Sequence, residues 1–264
     1  MPDDRVEANR ILLREVCALL AAHADDAVLI GGWVPDVRFP SARPPHIGSI
    51  DVDMLLRLRR EQHIAVVELL LKNGFRQGKH RYQFWKDVQT SRSGKVVARL
   101  DLLTSSRHHR EFFDDSEPSL QPVHGADIAF RDNAVLPIGP SGDVSVRVAG
   151  IAAFLTMKGI ALHDRFPRRP KDAYDIHYCL EQYPDGITAI AAEFERFQGD
   201  ELVRESMSKM AALFRDEEDE GPRMVADVEE IAGDDRAIRK LAVYTRVSEF
   251  LAAMGGTRPR SSAG

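Results

Sequence analysis

The sequence predicts an α/β (α+β) chain, a mixed β-sheet flanked by helices and followed by a C-terminal helical domain. Three observations predict it. Short apolar runs at 27–30 and 50–56 and a hairpin-like pair at 81–105 alternate with helical spacing in the first half. From Gly150 onward the spacing is helical almost throughout, over 150–163, 171–183, 187–197, 200–214, 223–231 and 234–253. The 105–145 stretch between them is irregular, with short strands expected near 120–138. These patterns divide the chain into an α/β domain over 1–145, a helical domain over 146–254 and a disordered tail over 255–264.

Each element follows from local chemistry. Val6, Ile11, Leu12, Val16, Leu19 and Leu20 make an apolar stripe, so 5–23 is a helix. AVLI (27–30) is a short buried strand that ends at Gly31-Gly32, where glycine permits a sharp turn or a close backbone approach. A proline-rich loop, PSARPPHIG (40–48), leads into the strand 50–56. A helix over 61–71 stops at Asn73-Gly74. RYQFWKDV and KVVARLDLLTS, joined by QTSRSG, form the hairpin. RDEEDEGP (215–222) is expected to be a solvated loop.

Composition bounds the function classes. The 264 residues carry a net charge of −5, with 44% hydrophobic and 29% charged residues, which argues against a surface that is basic all over. Cys17 and Cys179 are isolated in helical surroundings and give neither a zinc pattern nor a disulfide framework. The nine histidines lack ligand spacing. The opening MPDDRVEANR is charged, and no apolar run reaches the roughly 18 residues of a membrane span. A cytoplasmic protein that does not engage a membrane is expected.

The chemistry begins at Gly48-Ser49-Ile50-Asp51-Val52-Asp53. In a strand, Ile50, Val52 and Met54 share one face, and Asp51 and Asp53 share the other. Two carboxylates about 4 Å apart repel by roughly 4 kcal/mol at an effective dielectric of about 20. A divalent cation is the simplest compensation. If the strand carrying Asp101 pairs beside this one, three carboxylates converge, and an all-oxygen set favours Mg²⁺, or Mn²⁺ in its place, over zinc. Gly48-Ser49 could then offer backbone N–H groups and a hydroxyl to phosphates. Taken alone, an Asp-x-Asp strand more often simply faces water. The ordered set Gly31-Gly32, Gly48-Ser49, Asp51, Asp53 and Asp101 is far more specific.

That set resembles the nucleotidyltransferase superfamily that includes DNA polymerase β. GIAAFLTMKGIALHDRFPRRPKDAYDIHYCL (150–180) narrows the resemblance to the abortive-infection AbiEii/AbiGii-type nucleotidyltransferases. There a Met-Lys helix leads through a basic loop to an (Arg/Lys)-Asp-x-x-Asp helix, matched here by Lys158, Lys171, Asp172 and Asp175. The resemblance spans roughly residues 27–180. Trp33 and the long proline-rich linker before Asp51 depart from the pattern.

The resemblance implies the nucleotidyltransferase fold and transfer of an NMP from an NTP to an acceptor hydroxyl. It implies metal binding and catalysis by Asp51, Asp53 and Asp101, with Lys158 also catalytic. Nucleotide contacts would come from Gly31, Gly32, Gly48, Ser49, Lys158, Lys171, Asp172 and Asp175. It also implies an RNA acceptor, specifically a tRNA 3′ end, and a toxin partnered by a cognate antitoxin.

The residues themselves leave alternatives open. Lys158 in an apolar helix could instead run its stem to solvent, and Asp172 and Asp175 could simply complement a helix N-terminus. Residues 76–99 hold seven Lys/Arg against one acid, interleaved with Tyr82, Phe84 and Trp85. That is either single-stranded RNA chemistry or a hairpin covering a core. Two rival functions remain, a small-molecule (aminoglycoside-type) nucleotidyltransferase and a non-catalytic nucleotide-binding regulatory module.

Overall fold

A computed structural model describes residues 4–112, 120–139 and 142–255. The elements in chain order are α1 (Asp4–Leu19), β1 (Ala27–Ile30), α2 (Val34–Arg38), β2 (Val52–Leu56), α3 (Arg60–Lys72), β3 (Arg76–Gln77), β4 (Gln83–Thr90) and β5 (Gly94–Ser105). They continue with α4 (Ser106–Phe112), β6 (Gln121–Val123), α5 (Asp127–Arg131), β7 (Asn133–Ile138) and β8 (Val144–Ala149). Helices follow: α6 (Ile151–Asp164), α7 (Lys171–Gln182), α8 (Gly186–Glu193), α9 (Glu201–Ala211), α10 (Glu220–Val228) and α11 (Asp234–Gly255).

The chain forms two compact units, Met1–Phe154 and Leu155–Gly264, and the division falls inside α6. The first unit is built on a mixed sheet of order β3-β4-β5-β2-β1-β8-β7, with β6 beside β5. β1 lies in its interior, antiparallel to β2 and parallel to β8, and all four of its side chains are buried. A strand buried on both faces reads as a continuous apolar run, and AVLI is such a run. β2 and β5 are parallel, and β4 and β5 form the long antiparallel hairpin.

Several boundaries move for identifiable reasons. β2 begins at Val52, two residues later than expected, so Ile50 precedes the pleated ladder and is exposed while Val52 and Met54 are buried. Residues 105–145 prove to hold α4, β6, α5 and β7 among the described residues. A boundary at 145 cuts through β8, whose partners β1 and β7 keep it in the sheet. RDEEDEGP is a loop only over 215–219. Asp219 caps α10, accepting from the Glu220 N–H at 3.0 Å, and Gly221 and Pro222 are buried in its first turn, where proline costs no hydrogen bond. The expected tail falls, beyond Gly255, outside the described residues.

Trp33 is fully buried, so this departure from the resembled pattern serves the core of the first unit. In the second unit, Gly159 allows close crossing of α6 and α9, because a Cβ there would overlap the Ser206 hydroxyl. Ser206 in turn donates to the Leu155 carbonyl at 3.3 Å.

Asp132 ties the end of the sheet to the start of α6. Its carboxylate accepts from the Ala153 N–H at 2.7 Å, and its carbonyl accepts from Gly150 N–H at 2.7 Å. The side chain is 3% exposed and supplies a helix cap from a distant loop. Asp132→Ala is therefore expected to cost about 1–2 kcal/mol in urea unfolding, the usual loss for a cap residue. An unchanged midpoint and slope would show that the cap contributes nothing.

Candidate active site

The register of β2 against β5 builds the acidic site. Asp53 is directly opposite Asp101 in the parallel pair, and Asp51 stands just before β2. Ligand oxygens of Asp51, Asp53 and Asp101 lie within 4.8 Å of one another. Asp101 is buried, and the other two are half-buried. Each carboxylate pair at that range repels by about 3 kcal/mol at an effective dielectric of about 20, so the cluster requires cationic company.

Neighbouring residues shape it. Gly31, at φ +72°, sits where a Cβ would overlap the Asp53 carboxylate. Only glycine meets both demands, the left-handed backbone and the close approach. Gly32 is buried in the 3₁₀ turn Gly31–Trp33 that follows β1. The Ser49 hydroxyl donates to Asp51 Oδ1 at 2.7 Å. The Gly48 N–H donates to His46 Nδ1 at 3.1 Å, and its absent Cβ makes room for Val6. In this structure both groups expected to meet phosphates are thus engaged within the protein.

Arg99 is the neighbour the sequence reading passed over. Its guanidinium is ion-paired with Asp51 and places Nε 3.3 Å from Asp101 Oδ1. The signal was present in Arg99-Leu100-Asp101, because i and i+2 on a strand share a face.

The donor set fits a hard divalent cation. All three groups are carboxylates, they converge closely, and an arginine already exploits their charge. Small hard cations prefer such all-oxygen surroundings.

A second cluster lies within the helical unit. Lys158 on α6 contacts Asp172 at 2.6 Å and Asp175 at 2.7 Å, both on α7, and Lys171 contacts Asp175 at 2.7 Å. The Lys158 side chain is only 12% exposed, so its stem does not run to solvent. Asp172 and Asp175 are spent on these lysines, and they lie on the face of α7 turned to α6. Burial by itself would lower the Lys158 pKa. The Asp175 and Asp172 carboxylates outweigh burial and raise it above the ordinary lysine value.

Four of the seven cationic side chains in 76–99 are paired with acids. Arg76 meets Asp87 at 2.8 Å, Lys86 meets Glu15, Arg92 meets Asp4 at 3.6 Å, and Arg99 meets Asp51. Phe84 is fully buried, which fits a hairpin covering a core. Lys79, Arg81 and Lys95 are exposed.

With this geometry in place, the fold finds a counterpart among solved structures. The chain is similar to an antigenic nucleotidyltransferase-like protein from Paracoccidioides brasiliensis, with a TM-score of 0.52, 12% identity, and coverage of 78% of this chain and 88% of that one. The fold is nucleotidyltransferase-like, and Asp51, Asp53 and Asp101 cluster on it at the β2–β5 pair. Residues 49–253 match the family described as nucleotidyl transferase AbiEii toxin of type IV toxin–antitoxin systems, and the chain belongs to that family. It is a nucleotidyltransferase. No curated protein matches the chain.

Lys158→Met removes the cation between two buried carboxylates, a change that commonly costs 3–5 kcal/mol. Loss of about 3 kcal/mol is expected in urea unfolding, since Lys171 still pairs Asp175. Adding Asp172→Asn should recover part of it. Because the folded pKa of Lys158 is raised, its contribution is complete below the unfolded value of about 10.4 and fades as pH climbs above it. A wild-type midpoint for Lys158→Met would rule out this account.

Proposed function

We propose that the chain transfers a nucleoside monophosphate from an NTP to an acceptor hydroxyl, with Mg²⁺, or Mn²⁺ in its place, held by Asp51, Asp53 and Asp101. The observation that carries this reading is the convergence of those three carboxylates through the β2–β5 register. When bound, such a cation neutralises charge on the phosphoryl oxygens and acidifies the attacking hydroxyl.

The protein's own residues have distinct parts in this reading. Ser49 fixes the rotamer of Asp51 by its hydrogen bond. Gly31 lets Asp53 lie against the turn after β1, with Gly32 completing that turn. Asp101, the most buried of the three, receives or orients the proton of the acceptor hydroxyl. Lys158 and Lys171 contact the nucleotide, and Asp172 and Asp175 hold their ammonium groups in place. Gly48 and Ser49 can turn to phosphate oxygens by exchanging their present partners.

For the acceptor we propose RNA, a tRNA 3′ end, and for the partner a cognate antitoxin, in keeping with a toxin family. Exposed Lys79, Arg81 and Lys95 on the hairpin, and exposed Arg165, Arg168 and Arg169 before α7, supply cationic contacts for RNA phosphates. The described helices include none long and apolar enough to cross a membrane.

The reaction is tested by incubating the protein with each α-labelled NTP, Mg²⁺ and total RNA or candidate small molecules. Asp53→Asn is expected to lower transfer at least about 100-fold while circular dichroism stays unchanged, since even residues supporting metal ligands cost 10–100-fold. Transfer at the parental rate would remove the site assignment.

The acceptor is tested by measuring binding of a tRNA-sized RNA across a salt series. Each phosphate contact releases counterions. Arg168→Gln with Arg169→Gln, or Lys79→Gln with Arg81→Gln, should weaken binding and flatten the salt slope by about 1–2. Label found on a small molecule, with RNA binding weak and salt-insensitive in every variant, would favour the aminoglycoside-type reaction.

A further inference from the structure

The acidic cluster already holds a cation of the protein's own. Arg99 precedes Asp101 by two residues on β5, so both side chains project from one face. One end of its guanidinium is ion-paired with Asp51 Oδ2, and Nε lies 3.3 Å from Asp101 Oδ1. The side chain is 22% exposed, which separates this contact from a solvated surface pair.

Several elements hold Arg99 there. Its backbone N–H donates to Asn9 Oδ1 at 3.0 Å, and Asn9, from α1, is itself buried. Trp85, opposite Arg99 in the β4–β5 ladder, places its ring centroid 5.8 Å from the guanidinium carbon. A guanidinium has donors only and is always charged. Its hydrogen bond to Asp51 occupies a lone pair that a metal ion would need, and its charge lies at ion-pair distance from Asp101.

We infer that Arg99 is a resident counter-ion, which a divalent cation must displace from Asp51 and Asp101. It stabilises the metal-free cluster and lowers the affinity of the site for metal. This inference rests on the metal-binding reading of the three carboxylates given above. It makes Arg99 a positioning residue whose removal has two effects of opposite sign. A purely structural arginine would, on removal, weaken both the fold and the metal site. A competing one leaves the metal-free protein less stable and the metal bound more tightly.

The test is Mn²⁺ binding to the full chain, measured by the electron paramagnetic resonance signal of free Mn²⁺, together with thermal unfolding with and without the ion. Arg99→Gln keeps a polar side chain without the charge. It is expected to bind Mn²⁺ about fivefold more tightly or better, the scale of one partly buried ion pair. Its metal-free Tm should fall, and Mn²⁺ should raise that Tm by more than it raises the parent's. Arg99→Lys keeps the charge but loses the planar fork, so it should tighten binding less than Arg99→Gln and carries the same test if Arg99→Gln does not fold. Asp53→Asn should abolish binding in the parent and in the Arg99→Gln background.

Parental Mn²⁺ binding that stays equal or weakens in the Arg99 variants would overturn the inference and leave the metal site standing. Absence of Mn²⁺ binding in the parent and in Arg99→Gln alike would overturn both.

Discussion

Mutual repulsion among Asp51, Asp53 and Asp101 is the constraint around which the first unit is organised. Three carboxylates whose ligand oxygens lie within 4.8 Å of one another persist only if the backbone enforces the approach and cationic charge offsets it. The backbone part is the parallel β2–β5 pairing, which sets Asp53 opposite Asp101. The strand pair is held by the buried flanking residues Val52, Met54, Leu100 and Leu102, so apolar packing fixes the geometry of the polar site. Gly31 answers the same constraint from the other side, because any side chain there would collide with Asp53. Arg99 supplies charge from within the strand that carries Asp101.

A related solution recurs in the helical unit. Asp172 and Asp175 sit one helical turn apart on α7 and are almost entirely buried, an arrangement that water cannot stabilise. Lys158, entering from α6, and Lys171, from the first turn of α7, pair with them. The paired carboxylates and ammonium groups offset one another's charge in this buried setting.

The hairpin β4–β5 shows why a count of charges along a sequence overstates a basic surface. Within 76–99 the nearest acid in sequence to most of the cations is Asp87, yet Glu15, Asp4 and Asp51 reach them from elsewhere in the chain. Lys79, Arg81 and Lys95, exposed and in none of these pairs, are a smaller set, which suits local contact with an anionic acceptor more than a broad footprint. The net charge of −5 agrees with that scale.

By itself the sequence determined the mixed sheet followed by helices, the buried strand at 27–30, the hairpin, and the ordered Gly-Gly, Gly-Ser-x-Asp-x-Asp and distant Asp that mark the site. These were legible because they depend on local alternation, helical spacing and glycine's backbone freedom. The tertiary structure alone decided the rest. β8 belongs to the sheet because β1, more than a hundred residues earlier, pairs with it, and no local pattern reports such a partner. Ile50 is exposed because the ladder starts at Val52, which only the register with β5 defines. Lys158 meets Asp172 and Asp175 because the fold brings two helices together at these side chains, and Arg99 occupies the acidic cluster because two strands adjoin. Periodicity is written residue by residue along the chain, whereas pairing across space is set by the packing of the whole core.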